Sequence, residues 1–411
     1  MATNRHSPVT DWATDFDHTD PVWVNNPFPI WDDLRQSCPI AHSDRYGGTW
    51  LPLTHEHVSA IAYDTENFTS RAVVVSEARP GPNDLPAPIG VAPPITSDPP
   101  FHAMARRLLL PAFAPRKIDA LEPFTRQLCN DLLDQLEGKE VADAAIDYAQ
   151  HIPLRVIAKM LGFPAEDAEY FRHIIHLILE EGITLGEEED ERLVEQQDID
   201  AYFDRQIADH VANPRDDLTT FLLDAELDGN KLMHEHVRGT MLLILVAGID
   251  TTWSAIGASL WHLAQHPEDR KRLAAEPELM PFAIEEMLRA YAPVTMARMV
   301  AKDVEIGGCP MKEGDWVLLP FPSANRDPLF FDRADEVLID REENRHAAFG
   351  LGIHRCLGSN LARMELRVAV EEWVKRYPDF DLAEVGGETA TVTWAAGQVR
   401  GPRSIPVRLP A

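Results

Sequence analysis

The sequence predicts a mainly α-helical protein with small β-sheets, an α+β chain read as one unit over residues 1–411. Three observations carry that expectation. Helical periodicity recurs, as in PRKIDALEPFTRQLCNDLLDQLE, where Ile118, Leu121, Leu128, Leu132 and Leu136 fall largely on one face. A long apolar helix is predicted over about residues 235–265, and another directly behind Cys356. Strand-like pieces are short and scattered, and no stretch between the helices has the composition of an interdomain linker.

Bulk composition narrows the class. Hydrophobic residues make up 45% and charged residues 26%, an ordinary globular balance. The formal charge of −29 repels phosphates and disfavours nucleic acid as a partner. Four cysteines (Cys38, Cys129, Cys309 and Cys356) lie far apart without a C-x-x-C pair, which suits a reducing compartment. The opening MATNRHSPVTDW lacks the apolar core of a signal peptide, and residues 1–15 are expected to be a flexible terminus. The apolar run MLLILVAGI, 241–249, is far short of the roughly 20 residues that span a bilayer. A cytoplasmic monomer without a membrane span is therefore expected.

Along the chain, TWLPLT near residue 50 reads as a strand. LPAPIGVAPP, from Leu85, carries four prolines and must be extended; it either covers something apolar or simply packs as a loop. In SDPPFHAMARRLLLPAF, Ser97 or Asp98 can cap a helix with proline in its first turn, placing His102 and Arg106 on one face. GEEEDERLVEQQD, from Gly186, reads as a solvated loop and helix start. In VEIGGCPMKEGDWVLLPF, from Val304, Gly307–Gly308 marks a hairpin turn, and TVTW from Thr391 is a last strand-like piece. Behind Cys356, Leu357, Leu361, Met364 and Val368 form one apolar line and Ala362, Leu366, Val370 and Trp373 another, so that helix should be broadly buried.

The stretch FGLGIHRCLG, 349–358, is the chemical focus. Glycines 350, 352 and 358 let the backbone turn tightly and approach a bulky object. Cys356 then precedes a helix, where free N–H groups and the dipole favour a thiolate. A nucleophile, a zinc ligand, an inert core thiol and the ligand of a redox metal all remain open for a lone cysteine. The zinc reading is the weakest, because His346, His354 and Cys356 lack the usual spacing of paired zinc ligands.

The register Phe349-x-x-Gly352-x-His354-x-Cys356-x-Gly358 resembles the haem-binding signature of the cytochrome P450 superfamily. Other motifs follow in that family's order. Glu286-x-x-Arg289, by itself an ordinary solvated helix pair, resembles the family's pair that joins a later arginine, here Arg341, in a buried charge network. Ala247, Gly248, Ile249, Asp250, Thr251 and Thr252 would otherwise read as a kink in a core helix; they resemble the family's oxygen-activation groove. His102, Arg106, Arg298 and His354 match its propionate partners, although Met104 stands where an additional arginine is common.

The resemblance, from roughly residue 20 to the end, implies a P450 fold in a single haem domain and the following roles. Cys356 ligates the iron of haem b (iron protoporphyrin IX), with Phe349, Gly350, Ala247 and Gly248 also around the cofactor. Asp250 and Thr251 form the catalytic acid–alcohol pair that relays protons. Leu243, Val246, Ala247, Val294 and Ala396, with the loop from Val73 to Ile95, would line a pocket for a small apolar substrate, and Arg79 could meet a carboxylate there. The implied reaction inserts one atom of O2 by hydroxylation or O-dealkylation. No flavin or ferredoxin module is read in the chain, so NAD(P)H electrons are expected through a separate ferredoxin and its reductase. Arg106, Arg107, Arg116, Lys117 and Arg363 could form a basic docking patch on the proximal face. Two other readings are a peroxide-driven peroxygenase and a non-catalytic haem sensor or carrier; the Asp250–Thr251 pair favours the first reading over both.

Overall fold

The computed structural model describes residues 6–75, 91–180 and 190–410. Arg79, positions 85–90 of the proline-rich stretch and 186–189 of the acidic stretch lie outside the described residues.

The helix His234–Gln265 runs through the largest apolar cluster. It buries residues on all sides (Leu242, Ile244, Leu245, Ile256, Ala258 and Ser259 among them) rather than along one stripe, as a core helix must. By length and composition it is apolar enough to cross a membrane, which corrects the expectation drawn from the nine-residue run alone. Of its most apolar window, however, 67% is buried inside the protein. Small residues let neighbours approach closely: a Cβ on Gly248 would lie 2.6 Å from Ile157 Cδ1, and one on Gly257 3.0 Å from Pro402 Cγ. Helices His151–Leu161 and Ser359–Arg376 pack against it.

The stretch predicted as one helix near 115–137 is two, Pro115–Asp119 and Glu122–Asp134. Pro123 explains the break: it has no N–H to continue the ladder and its ring crowds the carbonyl one turn back. The next difference lies at Asp98. The helix Phe101–Leu109 has no side-chain cap; Asp98 instead accepts from the Ser70 N–H at 2.9 Å and from the Thr69 hydroxyl.

The main sheet has five strands in the order Ile40–Ser43, Thr49–Pro52, Trp316–Pro320, Thr295–Val300, Phe68–Thr69. Trp316–Pro320 is buried at every position; it pairs parallel with Thr49–Pro52 and antiparallel with Thr295–Val300. Gly307 and Gly308 take φ of 57° and 82° and close the hairpin Val304–Ile306/Cys309–Met311, the positive-φ pair a two-residue turn demands. Of TVTW only Thr393–Trp394 is strand, paired with Pro402–Ser404.

The N-terminus differs from the expected loose tail. Arg45 clamps Asp15 through two bonds of 2.7 and 2.8 Å, the Ala13 carbonyl accepts from His42 N–H at 3.1 Å, and Trp12 lies against Trp23. Residues 6–15 are therefore tied to the sheet layer.

Glu286, Arg289 and Arg341 meet in the interior. Glu286 and Arg289 are both 0% exposed. Arg289 donates twice to Glu286, at 2.8 Å each, and Arg341 Nε donates at 3.0 Å. Asn344 and the Leu338 N–H complete the carboxylate, while Arg289 also donates to the carbonyls of Asn325, Ala334 and Glu336. A buried charge is tolerated only when paired and fully hydrogen-bonded, so removing one partner is costly. Glu286→Ala should lower unfolding stability by about 3–5 kcal/mol in a urea titration; a change within experimental error would mean the network does not hold the fold.

Candidate active site

The cysteine loop is shaped by backbone demands. Gly350 and Gly352 take φ of 70° and 68°, a region costly for residues with a side chain. At Gly352 a Cβ would come within 2.5 Å of the Ala62 carbonyl oxygen, so both φ and space require glycine. The Cys356 N–H donates to the Phe349 carbonyl at 2.7 Å, closing the loop on itself. Gly358 then precedes the helix Ser359–Arg376.

As a residue Cys356 is exposed. Burial nevertheless pushes its thiol up, because protein surrounds the sulfur closely. The Gly358 N–H and the charges of Arg106, Arg355 and Arg363 pull the other way. Desolvation is the largest of these influences, so the donors at the helix start favour the thiolate without offsetting burial. Phe349 is partly buried beneath Arg363, whose guanidinium lies 4.4 Å from the ring centroid. Arg363 also forks onto Glu285 at 2.6 and 2.8 Å, and His346 Nε2 lies 3.1 Å from the same carboxylate. Arg363 is thus half-buried and paired with Glu285, whereas Arg107, Arg116 and Lys117 are exposed.

A second cluster gathers nearby. The rings of His102 and His354 lie 4.2 Å apart. Burial, then Arg106 and Arg298, holds His102 down to about 4, against a small opposing pull from Asp98. Burial with Arg298, His102 and Arg106 holds His354 down to about 2. Arg298, 5% exposed, is lowered to about 10 by burial and donates to the Ala297 carbonyl at 2.7 Å. Arg106 donates to the Arg355 carbonyl at 2.5 Å. The Nε2 atoms of His102 and His354 are buried without a hydrogen-bond partner. Two orphaned imidazole nitrogens beside two guanidiniums call for an anion with several acceptor oxygens. With the Cys356 thiol close to Arg106, these residues fit a group bearing both a metal and carboxylates.

On the central helix, Ala247 is exposed and Leu243, Val246 and Thr251 are partly accessible, although the residues around them are buried. At Gly248 a Cβ would meet Ile157, so close helix packing by itself also requires a glycine there. Asp250 is 0% exposed and pairs with Arg403 at 2.8 Å. Arg403 in turn lies 4.3 Å from the Trp253 ring centroid and donates to the Ser254 hydroxyl at 3.2 Å. The Thr251 hydroxyl donates to the Ala247 carbonyl at 2.8 Å. Acid and alcohol thus have separate partners. Val294 bridges Val399, Gln398 donates to the Val73 carbonyl at 2.7 Å, and Ala396 lies half-buried in the adjoining turn. Sequence reasoning missed Arg403 and Glu285, whose partners lie 153 and 78 positions away.

A family model described as Cytochrome P450 matches residues 185–382. The polyketide biosynthesis cytochrome P450 PksS of Bacillus subtilis is 32% identical over 395 residues, covering 94% of this chain and 96% of that protein. The chain belongs to the cytochrome P450 family. Its P450 fold is shared with the solved PksS structure (TM-score 0.84, 30% identity, 96% of this chain and 100% of that one). CYP109E1 from Bacillus megaterium, solved in complex with testosterone, matches with TM-score 0.82 and 30% identity over 94% of this chain and 99% of that one. The mycinamicin IV hydroxylase/epoxidase of Micromonospora griseorubida is 31% identical, covering 91% of this chain and 94% of its own. The protein is accordingly a P450 oxidoreductase of the haem-iron monooxygenase family.

Glu285 offers a pH test within this site. Burial raises its carboxyl, but Arg363 and His346 win and hold it at about 2 rather than the ordinary 4.5. Its contribution is full above pH 4.5 and is lost as pH falls towards 2. That difference is worth on the order of 3 kcal/mol. Glu285→Gln should flatten the stability profile between pH 4.5 and 2 in denaturant titrations; an unchanged acid limb would mean the pair carries no net stabilisation.

Proposed function

We propose that this P450 holds haem b on Cys356 and inserts one atom of O2 into an apolar organic substrate. The observation that carries the reading is the pair of buried, unpartnered Nε2 atoms on His102 and His354, set beside Arg106, Arg298 and the Cys356 thiol. The nearby carboxylate of Asp98 accepts from Thr69 and Ser70, so it does not answer the imidazoles. The propionates of haem would: His102, Arg106, Arg298 and His354 would donate to them, and Phe349 and Gly350 would shape the loop on the sulfur side. When bound there, haem supplies activation of O2 with two electrons and two protons, so that one oxygen atom enters the substrate and the other leaves as water.

The chain's own task is to orient substrate and move protons. Leu243, Val246, Ala247, Val294 and Ala396 offer small aliphatic surface without a charge, which suits a hydrophobic molecule held for hydroxylation or O-dealkylation. The testosterone bound to CYP109E1 and the polyketide pathway of PksS are consistent with such a substrate. Asp250 stores its carboxylate against Arg403, away from bulk water. To pass a proton into the pocket it must turn from Arg403, while the Thr251 hydroxyl must let go of the Ala247 carbonyl. Each move exchanges one hydrogen bond for another within a dry region, which is how a side chain can gate proton entry. Electrons would come from NAD(P)H through a ferredoxin and its reductase, docking near Arg106, Arg107, Arg116 and Lys117. A monomer in the cytoplasm completes the reading.

The first test is the carbon monoxide difference spectrum of the reduced protein. A strongly red-shifted Soret band is expected, and it should vanish in Cys356→Ala. A spectrum typical of histidine-ligated haem, or one unchanged by the substitution, would refute Cys356 as the ligand. The second test is Thr251→Ala, which should lower product formed per NAD(P)H by a large factor and release peroxide instead. Unchanged coupling would remove Thr251 from proton delivery.

A further inference from the structure

At the C-terminal end of the central helix, away from the site above, His262 and His266 stand one turn apart, and Asp269 enters on the first turn of the next helix, Pro267–Ala275. Their ligand-capable atoms all lie within 4.8 Å of one another. The two imidazoles are nearly parallel, 20° apart with centroids separated by 4.2 Å. Each ring is anchored through Nδ1: the Tyr291 hydroxyl lies 2.8 Å from that of His262, and a Glu268 carboxylate oxygen 3.2 Å from that of His266. Anchoring at Nδ1 is the outer-sphere arrangement that orients metal-binding histidines and leaves Nε2 to ligate. His262 Nε2 already sits 2.8 Å from Asp269 Oδ2.

We propose that His262, His266 and Asp269 form a binding site for a divalent first-row transition ion, of the zinc class, which pins the end of the central helix to the helix that follows. Two neutral imidazoles and one carboxylate suit zinc, nickel or copper, whereas magnesium and calcium favour all-oxygen cages. Atoms bound about 2.1 Å from one zinc ion lie at most roughly 4.2 Å apart. Tetrahedral ligands at that bond length stand roughly 3.4 Å apart, so the 2.8 Å pair of His262 and Asp269 opens a little while His266 adjusts to complete the set. His266 can do this, because its side chain is 46% exposed, while His262, at 2%, stays fixed.

The proton balance closes within the cluster. In the neutral His262 ring without an ion, Nε2–H donates to Asp269 and Nδ1 accepts from the Tyr291 hydroxyl. With the ion on Nε2, the same ring proton sits on Nδ1 and donates to the Tyr291 oxygen. Tyr291 directly follows the helix Met280–Ala290, which carries Glu286, so the ion would join three helices.

The proposal rests on these side chains and not on the haem reading. The test uses the full-length haem-loaded protein, stripped of loose metal with a chelator and titrated calorimetrically with zinc chloride. Wild type should take up one zinc per chain and gain thermal stability on doing so. His266→Ala and Asp269→Asn, both at accessible side chains, should each weaken zinc binding at least about tenfold and abolish the zinc-dependent thermal shift. Their carbon monoxide difference spectra should match wild type, showing that the fold survives. Zinc-edge absorption of wild type should report two imidazole nitrogens and a carboxylate oxygen, without interference from haem iron. Absence of stoichiometric binding in wild type, or an unchanged affinity in either variant, would overturn the site.

Discussion

One carboxylate holds the cysteine side of the molecule in place. Glu286 accepts from Arg289 twice, from Arg341, from Asn344 and from the Leu338 N–H, and it does so with no exposure to water. An unmet charge there would be prohibitive. The residues that meet it are therefore compelled to converge, and they come from the helix Met280–Ala290 and from the irregular stretch up to Asn344. Asn325 extends the same constraint: it donates to the Arg289 carbonyl and accepts from the Ala347 N–H at 2.6 Å. Two residues further on the loop of Cys356 begins. A chain of polar contacts thus does for an irregular segment what backbone ladders do for helices and strands.

On the other side, the central helix reconciles two demands. It must be apolar all round to sit in the core, and it must carry polar groups where chemistry is proposed. The polar groups are accommodated locally. Asp250 meets Arg403, Thr251 meets the Ala247 carbonyl, and Ser259 meets the Ala255 carbonyl. Gly401 shows how closely the C-terminal segment follows this helix, since a Cβ there would lie 2.2 Å from Ser254. Arg403 can reach Asp250 because its strand is pressed onto the helix in this way.

Legibility in the sequence divides by range. The glycine–cysteine loop, the Gly307–Gly308 hairpin and the two long helices over 234–265 and 359–376 were readable, because φ requirements and periodicity are properties of neighbouring residues. The basic set His102, Arg106, Arg298 and His354 was readable only through resemblance to a family; nothing local ties residue 102 to residue 354. Arg403 and Glu285 left no trace, since their roles exist only after distant segments meet. The break before Pro123 was visible in principle and was overridden by a convincing apolar stripe. The tie between Asp15 and Arg45 was hidden by a polar terminal composition that reads as solvated. Gly248 taught the opposite lesson: a residue can match a motif while its immediate surroundings explain it by helix packing.

The contact between Gly352 and the Ala62 carbonyl has a mechanical consequence. Ala62 belongs to the helix His55–Tyr63, which lies with the five-stranded sheet, whereas Cys356 feeds the helix Ser359–Arg376 of the helical layer. The cysteine loop is therefore wedged between the two layers, with no slack for even a methyl group. A side chain at position 352 would have to push the two layers apart, so the tightness of this one contact ties the setting of the cysteine loop to the spacing between sheet and helices.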